Sequence, residues 1–173
     1  MKTLTEFVSS LKTLARPNRF QAYIFAPNKF DSKLTLWCRS VSIPPIQNNV
    51  EKMMYFGKQI VIPGDFSFGQ VTLTFLLDSG MEVRQFFIEW HKIALLNYND
   101  RMQLGSLEDI YSGKIIVHQL DEKNVVSREF KFFGVVPTTI GSLNYDMNSD
   151  SQILTLEVTF EYLNFEESYA SEY

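Results

Sequence analysis

The sequence predicts a mainly β protein, a barrel or sandwich of antiparallel strands with one long flanking α-helix at about 80–97 and a short N-terminal helix. Three observations carry this. From Gln70 to Leu77 the apolar residues Val71, Leu73, Phe75 and Leu77 fall at every second position, the period of a half-buried strand. After Asp78-Ser79-Gly80 the spacing becomes helical, with Val83, Phe86, Phe87, Trp90, Ile93 and Ala94 on one face. Near the end, Ile153–Phe165 alternates Leu154, Leu156, Val158, Phe160 and Tyr162 against Thr155, Glu157, Thr159 and Glu161.

A chain of 173 residues reads as a single domain, 1–173, large enough to bury a core without disulfides or metal. The 15 Phe, 8 Tyr and 2 Trp suit extensive sheet packing or a large interface. Cys38 is the only cysteine, so no disulfide within the chain is possible and no oxidising compartment is needed. A net charge of −4 disfavours a phosphate-neutralising surface. Met1-Lys2-Thr3-Leu4 leads into an amphipathic stretch, so no signal peptide is expected. No apolar run approaches the roughly 18–20 residues of a membrane-spanning helix, so no membrane insertion is expected.

In order, Leu4, Phe7, Val8, Leu11 and Leu14 make a helical stripe over 3–14, with Thr3 and Glu6 at capping-box spacing. That helix packs either within the domain or on a neighbouring subunit. Arg19–Phe25 and Lys33–Val41 read as strands of a hairpin, and Ile43-Pro44-Pro45 ends the second because prolines cannot donate to a ladder. Val50–Phe56 and Gln59–Ile62 suggest a two-stranded ribbon with Gly57 near its tip and apolar residues on both faces. It is either a core hairpin or a protruding one that another subunit covers. Pro63–Gly69 reads as a turn into the strand at 70–77.

On the helix, Met81, Ile88 and Leu95 form a second, narrow apolar seam, a candidate intersubunit contact. Asn97–Tyr111 reads as a loop or a short turn of helix. Gly113–Leu120 and Val125–Val135 are strands joined by the turn Asp121–Asn124. Pro137–Gly141 breaks the second, and Leu143–Met147 resumes as a strand. Residues 166–173 lack any period and are expected to be a disordered tail.

Local catalytic signatures are missing. His91 and His118 belong to no HExxH or close ligand cluster, and there is no GxSxG, GxGxxG or P-loop spacing. Cys38 on a strand reads as packing. Glu157 and Glu161 look like a solvated strand face before a catalytic pair. The expectation is no enzyme, no metal and no cofactor.

Six segments occur in a familiar order: Arg16-Pro17-Asn18-Arg19-Phe20, Pro63-Gly64-Asp65-Phe66-Ser67-Phe68, Val71-Thr72-Leu73-Thr74, Val83–Trp90, Phe133–Thr138 and Leu156–Phe160. Over about residues 15–165 they resemble the tail tube proteins of contractile-tailed bacteriophages, relatives of type VI secretion tube proteins. The resemblance implies hexameric rings stacked into a hollow tube, strands from six subunits closing one inner barrel, and DNA passing through at ejection. The implied partners are the chain itself, sheath, baseplate, tape-measure and tail-terminator proteins, and DNA in transient, non-specific passage. The implied place is the virion tail, assembled in the host cytoplasm.

Under that resemblance Thr155, Glu157, Thr159 and Glu161 suit a lumen wall, or else an outer or sheath-facing surface. Val50, Met53, Met54, Tyr55, Phe56 and Lys58 suit a ring-stacking hairpin. Two other readings stay open: a baseplate tube-initiator or type VI secretion-like tube subunit, and a monomeric ligand-binding β-barrel with a concave apolar pocket.

Overall fold

Two strands that bend at one point tie the molecule together. The structure, a computed structural model, describes residues 15–27, 29–30, 32–99, 112–146 and 152–169. The first half contains β1 (Phe20–Ala26), β2 (Lys29–Phe30), a short helix α1 (Ser32–Trp37), β3 (Cys38–Ser42), β4 (Ile46–Tyr55) and β5 (Lys58–Phe68). Then come β6 (Val71–Leu76), the long helix α2 (Glu82–Asn99), β7 (Gly113–Leu120), β8 (Val126–Ile140), β9 (Thr155–Glu161) and β10 (Asn164–Tyr169).

Eight strands form an antiparallel sheet in the order β2-β1-β7-β8-β9-β6-β3, with β10 also beside β8. β8 belongs to both halves. Up to Val135 it lies against β7, with β10 along residues Arg128–Phe133; from Val136 to Ile140 it lies against β9. At the changeover Gly134 adopts φ 64, a left-handed conformation that glycine takes at no steric cost. Opposite it the β9–β10 run bends at Leu163, whose N–H donates to the Phe133 carbonyl at 3.0 Å.

The core lies under this bend. β6 and β9 alternate as their period predicts, burying Val71, Leu73, Phe75, Leu156, Val158 and Phe160. Helix α2 covers them with Val83, Phe86, Phe87 and Trp90. The Phe87 ring lies 5.0 Å from Phe75 and 5.8 Å from Phe160 between centroids, and Trp90 lies 5.9 Å from Phe160. Each such side chain contributes about 1.5–3 kcal/mol on burial. The Asp78 carboxylate caps α2 by accepting the Glu82 N–H at 3.0 Å. The other half supplies Ala22, Ile24, Ile115, Val117, Phe132 and Val135 to the same core.

Several expectations are corrected. β1 and β3 are not a hairpin: β1 pairs with β7 and β3 with β6. Residues 32–37 are helical, which puts Leu34 in the core and leaves Leu36 80% exposed, whereas a strand would set both on one face. β5 continues through Pro63 and Gly64 to Phe68, its register shifted where Asn48 and Val50 face it. A bulge absorbs the proline that suggested a turn. β8 likewise passes Pro137 with a register shift, and no strand forms over 141–146. Residues 166–169 are not a loose tail; they pair with Arg128–Lys131 of β8. The predicted helix at 3–14 and most of the predicted loop at 97–111 lie outside the described residues.

Candidate functional site

The half-sheet β8-β9-β6-β3 buries one face under α2 and turns the other outward. Across that outer face the register aligns Ser42 with Thr72, Thr72 with Thr159, and Thr159 with Thr139. The next row aligns Ser40 with Thr74 and Thr74 with Glu157. Two hollows of about 520 and 420 Å³ lie along these rows and share Thr74 and Glu157. Among the described residues lining them, Glu157 is the one charged group; the others contribute hydroxyls, amides and a few aliphatic side chains. Glu161 extends the β9 row and accepts from Gln70 Nε2 at 3.1 Å.

The four residues singled out on β9 therefore share one face. Glu157 and Glu161 are exposed, and Thr155 and Thr159 are half-buried. Sequence reasoning missed their neighbours. The Thr72 and Thr74 alternation was visible, but Ser40, Ser42 and Thr139 join the row only through pairings between distant segments. The result is a concave, hydroxyl-rich wall with a sparse negative charge and no cation among its lining residues. Such a wall offers a polyanion neither a counter-charge nor a hydrophobic hold.

Both ends of this half-sheet are open. Among the described strands nothing pairs with the far edge of β3, and residues 136–140 of β8 pair with β9 alone. Helix α2 approaches that second edge, with His91 Nδ1 3.3 Å from the Pro137 carbonyl and Arg84 Nη1 donating to the Gly141 carbonyl at 3.0 Å.

The ribbon β4–β5 forms its own two-stranded sheet. Val50, Met53, Met54, Tyr55, Phe56, Ile60, Val61 and Ile62 are all exposed, so neither of its faces is covered by the described chain. Tyr55 pairs with Lys58, leaving Phe56-Gly57 as a two-residue loop. Both loop residues have positive φ, 46 and 75, as a type I′ turn requires. In the candidate helix seam Ile88 is half-buried, and Met81 stands one residue before α2 at φ 55, off the helical row. The Leu95 side chain lies outside the described residues.

His118 sits on the opposite half of the sheet. Its Nε2 is 3.1 Å from Glu129, which Lys131 also contacts at 2.7 Å. Those two contacts, led by the Lys131 hydrogen bond, hold the Glu129 carboxyl below its ordinary range against the opposing effect of burial. Burial pushes the Cys38 thiol up to about 12, partly offset by hydrogen bonding with the Ser40 backbone. Among the described residues no group of three His, Cys, Asp or Glu is placed to hold a metal, and no helix is long and apolar enough to cross a membrane.

Comparison with known proteins agrees with this geometry. Over 147 residues the chain is 29% identical to the tail tube protein gp19 of Enterobacteria phage T4, covering 84% of this chain and 86% of that protein. Its fold is similar to a chain of the anti-feeding prophage baseplate, with TM-score 0.65, 13% identity and coverage of 92% of this chain and 99% of that one. It is also similar to a chain of the sheath–tube complex of an extracellular contractile injection system, PVC, in its extended state. There the TM-score is 0.62, with 14% identity over 98% of this chain and 100% of that one. The family model described as phage tail tube protein matches residues 4–168, nearly the whole sequence, and the chain belongs to that family.

Proposed function

We propose that this tail tube protein builds its conduit by closing the half-sheet β8-β9-β6-β3 of six copies into one inner barrel, with the hydroxyl face as the wall. The observation that carries the reading is that this half-sheet has one face in the core, one concave polar face, and both edges open. Ring closure pairs the edges that a free subunit leaves exposed to mispairing. Thr155, Glu157, Thr159 and Glu161 then line the lumen, and DNA passes a wall that does not hold it by counterion release.

The apolar ribbon β4–β5 stacks one ring on the next, through Val50, Met53, Met54, Tyr55, Phe56 and Lys58. The row at Ile88 and Leu95, with Met81 beside it, supports contact around the ring. The subunit has no catalytic role in this reading, and its partners beyond itself are the sheath, baseplate, tape-measure and terminator proteins of the tail. The likeness to chains from a baseplate and a sheath–tube complex supports the baseplate and sheath among them.

Electron microscopy of the purified protein tests assembly: long hollow tubes are expected, and a monodisperse monomer at high concentration would refute the reading. Glu157→Lys with Glu161→Lys tests the wall. Tubes should form, but phage carrying the substitution should eject DNA poorly; normal ejection removes these residues from the lumen.

A further inference from the structure

The ribbon tip holds an aromatic side chain in a place unfavourable to it. Phe56 is 90% exposed at φ 46, a position where type I′ turns favour Asn, Asp or Gly. The Tyr55 ring packs edge-on against it at 4.6 Å between centroids. Among the described residues neither ring is buried by its own chain. Backbone strain and exposed apolar surface at one residue point to a contact outside the subunit.

A matching hollow lies at the other end of the ribbon. It measures about 340 Å³, has Phe20, Val41, Val117 and Phe130 in its lining, and includes Ile43, three residues before β4 begins. Arg16, Arg19 and Arg39 border it. Arg19 is held by the Asp121 carbonyl at 2.8 Å and Arg16 lies 3.7 Å from Glu122, while among the described residues no acidic group pairs with Arg39. Guanidinium groups around an apolar floor suit an aromatic ring, which they stack upon. The two hollows on the channel face are lined mainly by hydroxyls and offer no such floor.

We propose that Phe56, with Tyr55 against it, seats in the arginine-bordered hollow at the ribbon root of the next copy of this chain. Length rules out the chain's own hollow, and a second copy carries the same hollow in reach of the tip. The ten residues of β4 span about 33 Å at roughly 3.3 Å each, so the tip does not reach its own root. A copy displaced along the ribbon by one ribbon length brings its own root hollow to that tip. Knob and hole are then different patches of one surface, a head-to-tail contact that repeats without closing, as a stack of rings requires.

The inference rests on the stacking role given to the ribbon, and two experiments separate them. Deleting Tyr55–Lys58 tests stacking itself: the variant should stop at rings, and tubes from it would refute both ideas. In a Cys38→Ala background, Lys58→Cys with Gln119→Cys keeps Phe56 and places thiols beside the tip and at the hollow's border. Oxidation of assembled tubes should give a ladder of multimers on a denaturing gel, with dimers at most from either single cysteine. Tubes without a ladder would overturn the hollow as receptor while leaving ribbon stacking intact. Independently, Phe56→Asn suits the positive φ and keeps the turn. It should raise the concentration needed for polymerisation at least tenfold, whereas Phe56→Tyr should not. Unchanged polymerisation of the Asn variant would overturn the proposal.

Discussion

Replacing Gly134 with alanine measures how much the fold depends on its bend. The residue sits at φ 64, where an L-residue costs about 1–2 kcal/mol. An added Cβ would also lie 2.6 Å from Cδ1, 2.7 Å from Cγ and 2.9 Å from Cβ of Leu163. Because the Leu163 Cβ is among the crowded atoms, a change of rotamer does not relieve the clash; the strand itself has to shift. Overpacking of this kind costs typically about 1–3 kcal/mol. Together the two effects predict a loss of about 2–5 kcal/mol, or roughly 6–15 °C in Tm for a chain of this size.

Thermal unfolding of the unpolymerised protein, followed by circular dichroism, reads the change. The double variant Gly134→Ala with Leu163→Ala removes the two closest contacts but keeps the one with Cβ and the strained φ, so it should recover a part of the loss, under about half. Leu163 is largely exposed, and its truncation alone should cost under about 1 kcal/mol. A neutral Gly134→Ala, or a double variant as unstable as the single, would refute the account of the bend.

Cys38 should resist alkylation at pH 8 in the folded protein by at least about a hundredfold relative to the unfolded chain, because a thiol raised to about 12 is almost wholly protonated there. Rapid labelling of the native protein would contradict its placement. Glu129 has its carboxyl lowered on folding, first by the Lys131 hydrogen bond, so its contribution is present above the unfolded carboxylate range of about 4.3 and lost as pH falls through the lower folded value. Glu129→Gln should therefore be less stable than the unaltered chain near neutrality, by under about 1 kcal/mol, with the gap closing in acid. A gap that widens below pH 4 would reverse the assignment.

The period of β6, α2 and β9 was legible because each has one buried face and one wet face, so residue type follows geometry directly. The ribbon and its tip at Gly57 were legible for a related reason: nothing among the described residues covers them, and their apolar residues stand out. What the sequence concealed depends on distant pairing. Leu34, Thr35 and Leu36 alternate like a strand, yet the segment is too short for six residues to distinguish the two periods. Pro63 and Pro137 read as breaks because local chemistry disfavours them in ladders, whereas register shifts accommodate both. The acidic end looked loose for want of a hydrophobic period. It is held instead by backbone pairing to β8 and by Arg128, which bonds Glu167 and lies over the Tyr169 ring. Of the polar wall, only the rows on β6 and β9 were visible; the serines of β3 enter through pairings that no local pattern encodes.

The bend shared by β8 and the β9–β10 run has a mechanical consequence. Two flat sheets joined by loops would pivot about the loops under an axial thrust. Here the crease is crossed by two covalently continuous strands, hydrogen-bonded to one another on either side of it, so the molecule resembles a creased plate more than a hinge. Load entering through the half-sheet β8-β9-β6-β3 is carried by backbone into the half that holds β1 and β7, and yielding at the crease requires breaking ladder bonds in both halves together. Rigidity under compression is thereby a property of each subunit, present before any ring is formed.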